Sequence, residues 1–219
     1  MTTIKALLER ISIELTDKER VSWSLDALVS YYNSAIAAIA TYRPDVFAQT
    51  LAYTCVAGTR QLIPAGCIKL IEVERNTKGR KIRFFERGVL DDLDPEWVSG
   101  TGAKAAEAYF YEPTNPRVFW LYPGVAAGVN VDLVLSVLPS PATTAEIEAG
   151  KQLQVDDSFL TPCMDWIIYR AYLRDSDETA NSARGQLHLQ AFAQYLGIKI
   201  EADGALVSIR EKKFQSNQG

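Results

Sequence analysis

The spacing of apolar residues changes twice along this chain, and the two changes fix its class of fold. From 23 to 41 apolar side chains recur at three and four residues, as on one face of a helix. From Leu51 to Leu138 the period drops to two, with turn residues between the runs. After 157 the helical period returns and lasts to Gly197. Helices separated by a β segment must find each other to bury their stripes. The expectation is an α+β fold: a bundle of about four helices interrupted by an inserted antiparallel β domain. The parts divide as 1–50 (N-terminal helices), 51–140 (β domain), 141–197 (helices completing the bundle) and 198–219, an extended C-terminal arm.

Local signals support each element. Ile4, Leu7, Leu8, Ile11 and Leu15 share a face over 4–15, with Thr3 placed to cap. Leu25, Leu28, Val29, Tyr32, Ile36, Ile39 and Ala40 form the stripe of the next helix, and Arg43-Pro44 ends it. Strands are predicted over 51–57, 68–75, 80–86, 105–112, 117–122 and 129–138. Asn76 to Gly79 reads as the turn of a hairpin joining 68–75 to 80–86, and Pro113 to Pro116 as the turn of a second. Residues 139–156 read as a connector. Pro162 falls in the first turn of a helix reaching Arg174. Asp175 to Glu178 breaks that helix and starts another, which Gly197 terminates. On this last helix Ala180, Ala183, Leu187 and Ala191 make one face, and Leu189, Phe192 and Leu196 a second.

Several function classes find nothing to use. The lone histidine, His188, sits mid-helix and gives neither a triad nor a multi-histidine metal site its partners. No nucleophile elbow, phosphate-binding loop or dinucleotide fingerprint occurs. Cys55, Cys67 and Cys163 are scattered, as small buried thiols are, and no two stand at metal-ligand spacing. No cofactor or metal is expected, and no catalysis. No leader-like or membrane-spanning run is evident. The formal net charge of −4 is not that of a general nucleic-acid binder.

Two charged runs admit alternatives. Asp91-Asp92-Leu93-Asp94-Pro95-Glu96 lacks the order of a calcium loop and reads as a turn beside Trp97. Arg75, Lys78, Arg80, Lys81, Arg83 and Arg87 crowd one hairpin. They are either cations blunting an edge strand or a phosphate-facing surface, with Arg80, Lys81 and Arg83 as its contacts. The second option makes the chain a DNA-binding module.

The 159–174 helix raises a further question. Between Cys163 and Leu173 only Asp165 and Arg170 are charged, so the helix is apolar nearly all round. Either the bundle covers every face, or a neighbouring subunit covers one. Trp166, Tyr169, Arg170 and Tyr172 are types enriched in interface cores, and with Arg174 they form the candidate subunit interface.

Several segments together resemble the bacteriophage head-to-tail adaptor, or connector, family. They are WSLDALVSYYNSAIAAIATYRPD (23–45), GTRQLIPAG (58–66), IEVERN (71–76), DPEW (94–97), NPRVFWLYP (115–123), IIYRAYLRDSD (167–177) and NSARGQLHLQAFAQYLG (181–197). The resemblance leaves the first twenty residues and the segment beyond Gly197 uncovered. It implies a structural virion protein of the tail-tubular and head-completion kind, made in the host bacterial cytoplasm and placed at the head-tail junction. The implied assembly is a cyclic homo-oligomer, a dodecamer, docked on the portal and joined to the tail or a distal neck protein. Genomic DNA passes through its channel. A tail-completion or neck protein at another ring position is the nearest alternative. The C-terminal arm, through Leu206, Val207, Ile209 and Phe214, is expected to contact the portal or a neighbouring copy.

Overall fold

A computed structural model describes residues 1–174, 179–200 and 206–208. The chain is α+β and divides into two compact units: Met1–Arg43 with Pro139–Gly219, and Pro44–Leu138. Among the described residues no helix is long and apolar enough to cross a membrane.

The helical unit opens with α1 (Ile4–Glu14), where Thr3 caps by accepting the Ala6 N–H at 3.2 Å. Ile4, Leu7, Leu8 and Ile11 are wholly buried, the face that the spacing predicts. Asp17 then organises the link to the next helix, accepting N–H bonds from Val21 (2.8 Å), Ser22 (3.0 Å) and Trp23 (2.9 Å). Helix α2 (Leu25–Tyr42) is capped by Ser24 and stops where Pro44 forbids continuation, the Arg43 N–H closing the last turn on Ile39 O at 2.7 Å.

The β unit contains two sheets. In the three-stranded one, β1 (Ala48–Thr54) and β3 (Cys67–Asn76) flank β7 (Asn130–Val137), antiparallel on both sides. Leu133 faces Leu51 on one side and Val73 on the other. The four-stranded one runs β2 (Gly58–Leu62), β6 (Val118–Val125), β5 (Ala108–Tyr111), β4 (Arg83–Phe84). Leu70, Val73, Ile82, Phe119, Leu121, Val131, Leu133 and Leu135 fill the core. A second, aromatic cluster joins Trp97, Phe110 and Leu90, the last from α3 (Arg87–Leu93). Phe110 stacks on Trp120 at 4.5 Å and meets the Trp97 edge at 5.0 Å. Gly124 admits no side chain, because a Cβ there would lie 1.9 Å from Gly100 O.

Two expectations for this unit need correction. The β5–β6 hairpin forms as predicted, with Ala108 opposite Tyr122, but the 68–75/80–86 hairpin forms only at its turn. The Asn76 N–H donates to Arg80 O (3.0 Å) and Ile82 N–H to Glu74 O (3.2 Å). Beyond that the returning segment leaves β3 and pairs parallel with β5 as the two-residue β4. Asn76 provides the reason: its side chain takes both the N–H (2.8 Å) and the carbonyl (2.7 Å) of Ala106, so segment 105–108 stands where a longer return strand would lie. Strand β2 is absent from the expectation because its buried side chains, Thr59 and Gln61, are polar. Gln61 is satisfied locally, accepting the Val56 N–H and donating to Val56 O and Gly58 O. The acidic run serves structure through Asp91, which accepts the Trp97 indole N–H at 2.7 Å.

Back in the helical unit, the 139–156 connector contains an unpredicted helix, α4 (Thr144–Glu148), held by a Thr143/Glu146 capping box. The connector is tied down by its neighbours: Asn33 exchanges two hydrogen bonds with Ala142 (2.9 and 2.8 Å), and the buried Tyr32 hydroxyl accepts the Gln154 N–H (3.1 Å). Ile4 N–H reaches Lys151 O and Leu153 N–H reaches Thr2 O, both at 3.0 Å. After a 3-10 turn at Asp157–Phe159, α5 (Leu160–Arg174) packs on α1, α2 and α6 (Thr179–Leu196). Gly197, at φ +66°, ends α6 in the left-handed conformation expected of it. The arm is not simply extended: β8 (Ile198–Ile200) pairs antiparallel with β9 (Leu206–Ser208), Lys199 opposite Val207. The 175–178 break and the residues Ile209 and Phe214 lie outside the described residues.

Candidate interaction surfaces

The apolar helix α5 is covered chiefly by its own unit. Cys163, Ile167, Ile168 and Ala171 are buried. Trp166 donates its indole N–H to Ser34 Oγ (2.9 Å) and packs against Phe192 (4.8 Å) and Tyr169 (5.7 Å). Tyr172 stands between Trp23, edge-on at 6.5 Å, and His188, stacked at 6.4 Å. The guanidinium of Arg170 lies over the Tyr31 ring at 5.8 Å. Gly185 faces α5, where a Cβ would meet that of Tyr172 at 3.4 Å, about van der Waals contact.

Of the five residues expected at a subunit contact, Trp166 and Tyr172 thus have most of their partners within the chain. Tyr169 and Arg170 are half-buried, and Arg174 is exposed. Ser34 on α2 is engaged by Trp166. Leu173 beside Arg174 is 47% exposed.

Helix α6 uses its two faces differently. Leu189, Phe192, Ala193 and Leu196 are buried. Ala180, Ala183 and Ala191 are exposed, and Leu187 among them is 65% exposed. Arg184 is the only Lys, Arg, Asp or Glu in the helix, and His188 bonds Asp165 Oδ1 at 2.8 Å. The exposed stripe of α6 is therefore mostly apolar, with Arg184, also exposed and one turn from Ala180 and Leu187, as its single charge, where a solvent-facing helix ordinarily carries more.

The cationic hairpin belongs to the β unit. Arg75 pairs with Glu74 (3.1 Å), Lys81 with Glu72 (3.2 Å), and Arg87 with Asp91 and Glu112 (3.5 Å each). Among the described residues Arg80 and Arg83 form no ion pair. Both line an open groove of about 750 Å³, together with Lys81. Sequence spacing pointed to these three cations but not to the groove, whose other wall comes from α3. No pattern in the sequence marks that wall.

No three His, Cys, Asp or Glu side chains converge as a metal site among the described residues. Burial raises all three thiols, Cys55 to about 11 and Cys163 to about 12; Arg117 partly opposes the rise at Cys67.

A family model described as SU10 adaptor protein matches residues 2–210. A search of curated proteins finds no match.

Proposed function

Because the chain belongs to the SU10 adaptor protein family, a family of structural phage adaptors, we propose that it forms the ring joining a phage portal to the tail or to a distal neck protein. Copies associate as a closed cyclic homo-oligomer, a dodecamer, around the channel through which genomic DNA leaves the head. The protein is made in the cytoplasm of the bacterial host and ends in the virion at the head-tail junction. A chain with a net charge of −4 suits the wall of such a conduit, since like charge keeps the duplex from adhering.

The observation that carries this reading is the exposed stripe of α6, Ala180, Ala183, Leu187 and Ala191, in which Arg184 is the single charge. Interface cores are depleted in charge, and small residues let a second element approach closely. In a cyclic ring the contact is heterologous, so a different face of the next copy meets this stripe. The end of α5 supplies that face through Leu173 and Arg174, with Tyr169 and Arg170 at its edge. Trp166 and Tyr172 support it from within the bundle. The C-terminal segment, with Leu206, Val207, Ile209 and Phe214, adds a contact to the portal or to a neighbouring copy.

The test is reconstitution. Purified protein mixed with purified portal rings should add a layer of density beneath the portal in negative-stain images. Leu187→Glu places a charge on the exposed stripe without touching the core. It should leave Tm within about 1 °C, as exposed substitutions do, and abolish the layer. A wild-type protein that never joins the portal, or a Leu187→Glu variant that joins it normally, overturns the reading.

A further inference from the structure

We propose that the groove of the β unit is a docking site for an acidic, leucine-bearing polypeptide segment of a different protein. The groove lies wholly within Pro44–Leu138, between the Asn76–Lys81 turn and α3. Its two kinds of wall require both properties of the occupant. Arg80, Lys81 and Arg83 carry its positive charge against one lining carboxylate, Glu107. Lys81 already has Glu72, so Arg80 and Arg83 are the cations left to a partner. Guanidinium groups bind carboxylates through paired, directed hydrogen bonds. The opposite wall is apolar. Leu93 lines it while 71% exposed, next to Leu90, which is 3% exposed and fixed in the Trp97–Phe110 cluster. An exposed leucine held beside a rigid cluster gains by burial against an apolar side chain.

The groove is held open in advance. The two Asn76–Ala106 hydrogen bonds fix the turn to the floor, and the Trp97–Asp91 bond fixes α3. A partner therefore need not order these walls, which lowers the cost of binding. A duplex could use the cations through its phosphates but offers no apolar side chain to Leu93. A polypeptide strand enters it and meets both walls. Among the described residues, several acidic-apolar stretches that a second copy of this chain could offer are engaged within their own chain. Glu146 closes a capping box beside buried Ile147, Asp156 caps a 3-10 turn, and Asp157 accepts the Thr2 N–H.

The experiment uses the full chain and a labelled synthetic peptide alternating glutamate with leucine, followed by fluorescence polarisation. Saturable binding is expected. It should weaken by about tenfold or more in Arg80→Glu/Arg83→Glu, and severalfold in Leu93→Ser or when the peptide's leucines become glycine. Circular dichroism confirms that these surface variants remain folded. Four results overturn the proposal. The first is no saturable binding. The second is binding indifferent to Leu93 and to the peptide's leucines, which is surface charge alone. The third is duplex DNA binding with the same residue dependence in place of the peptide. The fourth is self-association in sedimentation that Arg80→Glu/Arg83→Glu abolishes.

Discussion

Trp166 on α5 donates its indole N–H to the hydroxyl of Ser34 on α2, 132 residues earlier, at 2.9 Å. Ser34 in turn donates to Tyr31 O at 2.8 Å. An aromatic residue that reads from sequence as bait for a neighbouring subunit is thus a fastener between the two halves of the helical unit. Removing either partner strands the other polar group in a half-buried site. Trp166→Phe and Ser34→Ala should each lower stability, and a double-mutant cycle by denaturant unfolding should give a coupling of about 1 kcal/mol. Additive effects would show that the bond contributes nothing.

Ser136 offers the opposite case. Its hydroxyl is buried on β7, and among the described residues it has no hydrogen-bond partner. Ser136→Ala removes an unsatisfied group and keeps the strand. Thermal unfolding should show a gain of up to about 1 kcal/mol, and a loss would mean that the hydroxyl is satisfied after all.

Four surface carboxylates, three exposed and Asp17 half-buried, act through backbone N–H groups. Hydrogen bonds hold Asp17, Glu146, Asp156 and Asp157 below the ordinary carboxylate range: Trp23 acts most strongly on Asp17, Thr143 on Glu146, Ser158 on Asp156 and Thr2 on Asp157. A carboxyl with a depressed folded pKa stabilises above its unfolded value and loses that contribution as pH falls through the folded one. Tm should hold steady from neutrality to about pH 5 and fall below about pH 4. Asp17→Asn should lower Tm at neutral pH and make the acid slope shallower. An unchanged slope would remove Asp17 from this account.

The cysteines should be inert. Burial and the raised thiol values leave Cys55 and Cys163 about a hundredfold or more short of the thiolate an exposed cysteine offers at pH 8. A disulfide reagent should titrate the three thiols of the chain only after denaturant is added. Rapid reaction of the native protein would indicate that these sites open readily.

Much of this architecture was legible because it rests on apolar spacing and terminal signals. Thr3, Pro44 and Gly197 mark helix ends by local chemistry, and Leu189, Phe192 and Leu196 name the buried face of α6. What escaped was settled by side chains acting at long range. Asn76 holds Ala106, thirty residues on, and so displaces the strand expected to return along β3. Gln61 hides β2 by burying a polar group that its own turn satisfies. Of the candidate surfaces, the cations Arg80, Lys81 and Arg83 could be read, but the wall opposite them could not. Leu93 has no local signal that separates an exposed leucine from a buried one.

The helical unit is assembled from chain segments that leave the ribosome at different times. α1 and α2 are made first, and their stripe has no partner until the whole β unit has been translated and α5 follows. The β unit has all its own strands and can fold while the first helices wait. Closure of the bundle consequently waits for the last two helices, and the α5–α6 surface exists only once both have been made. A product that stops before α5 cannot close the bundle and so cannot present that surface.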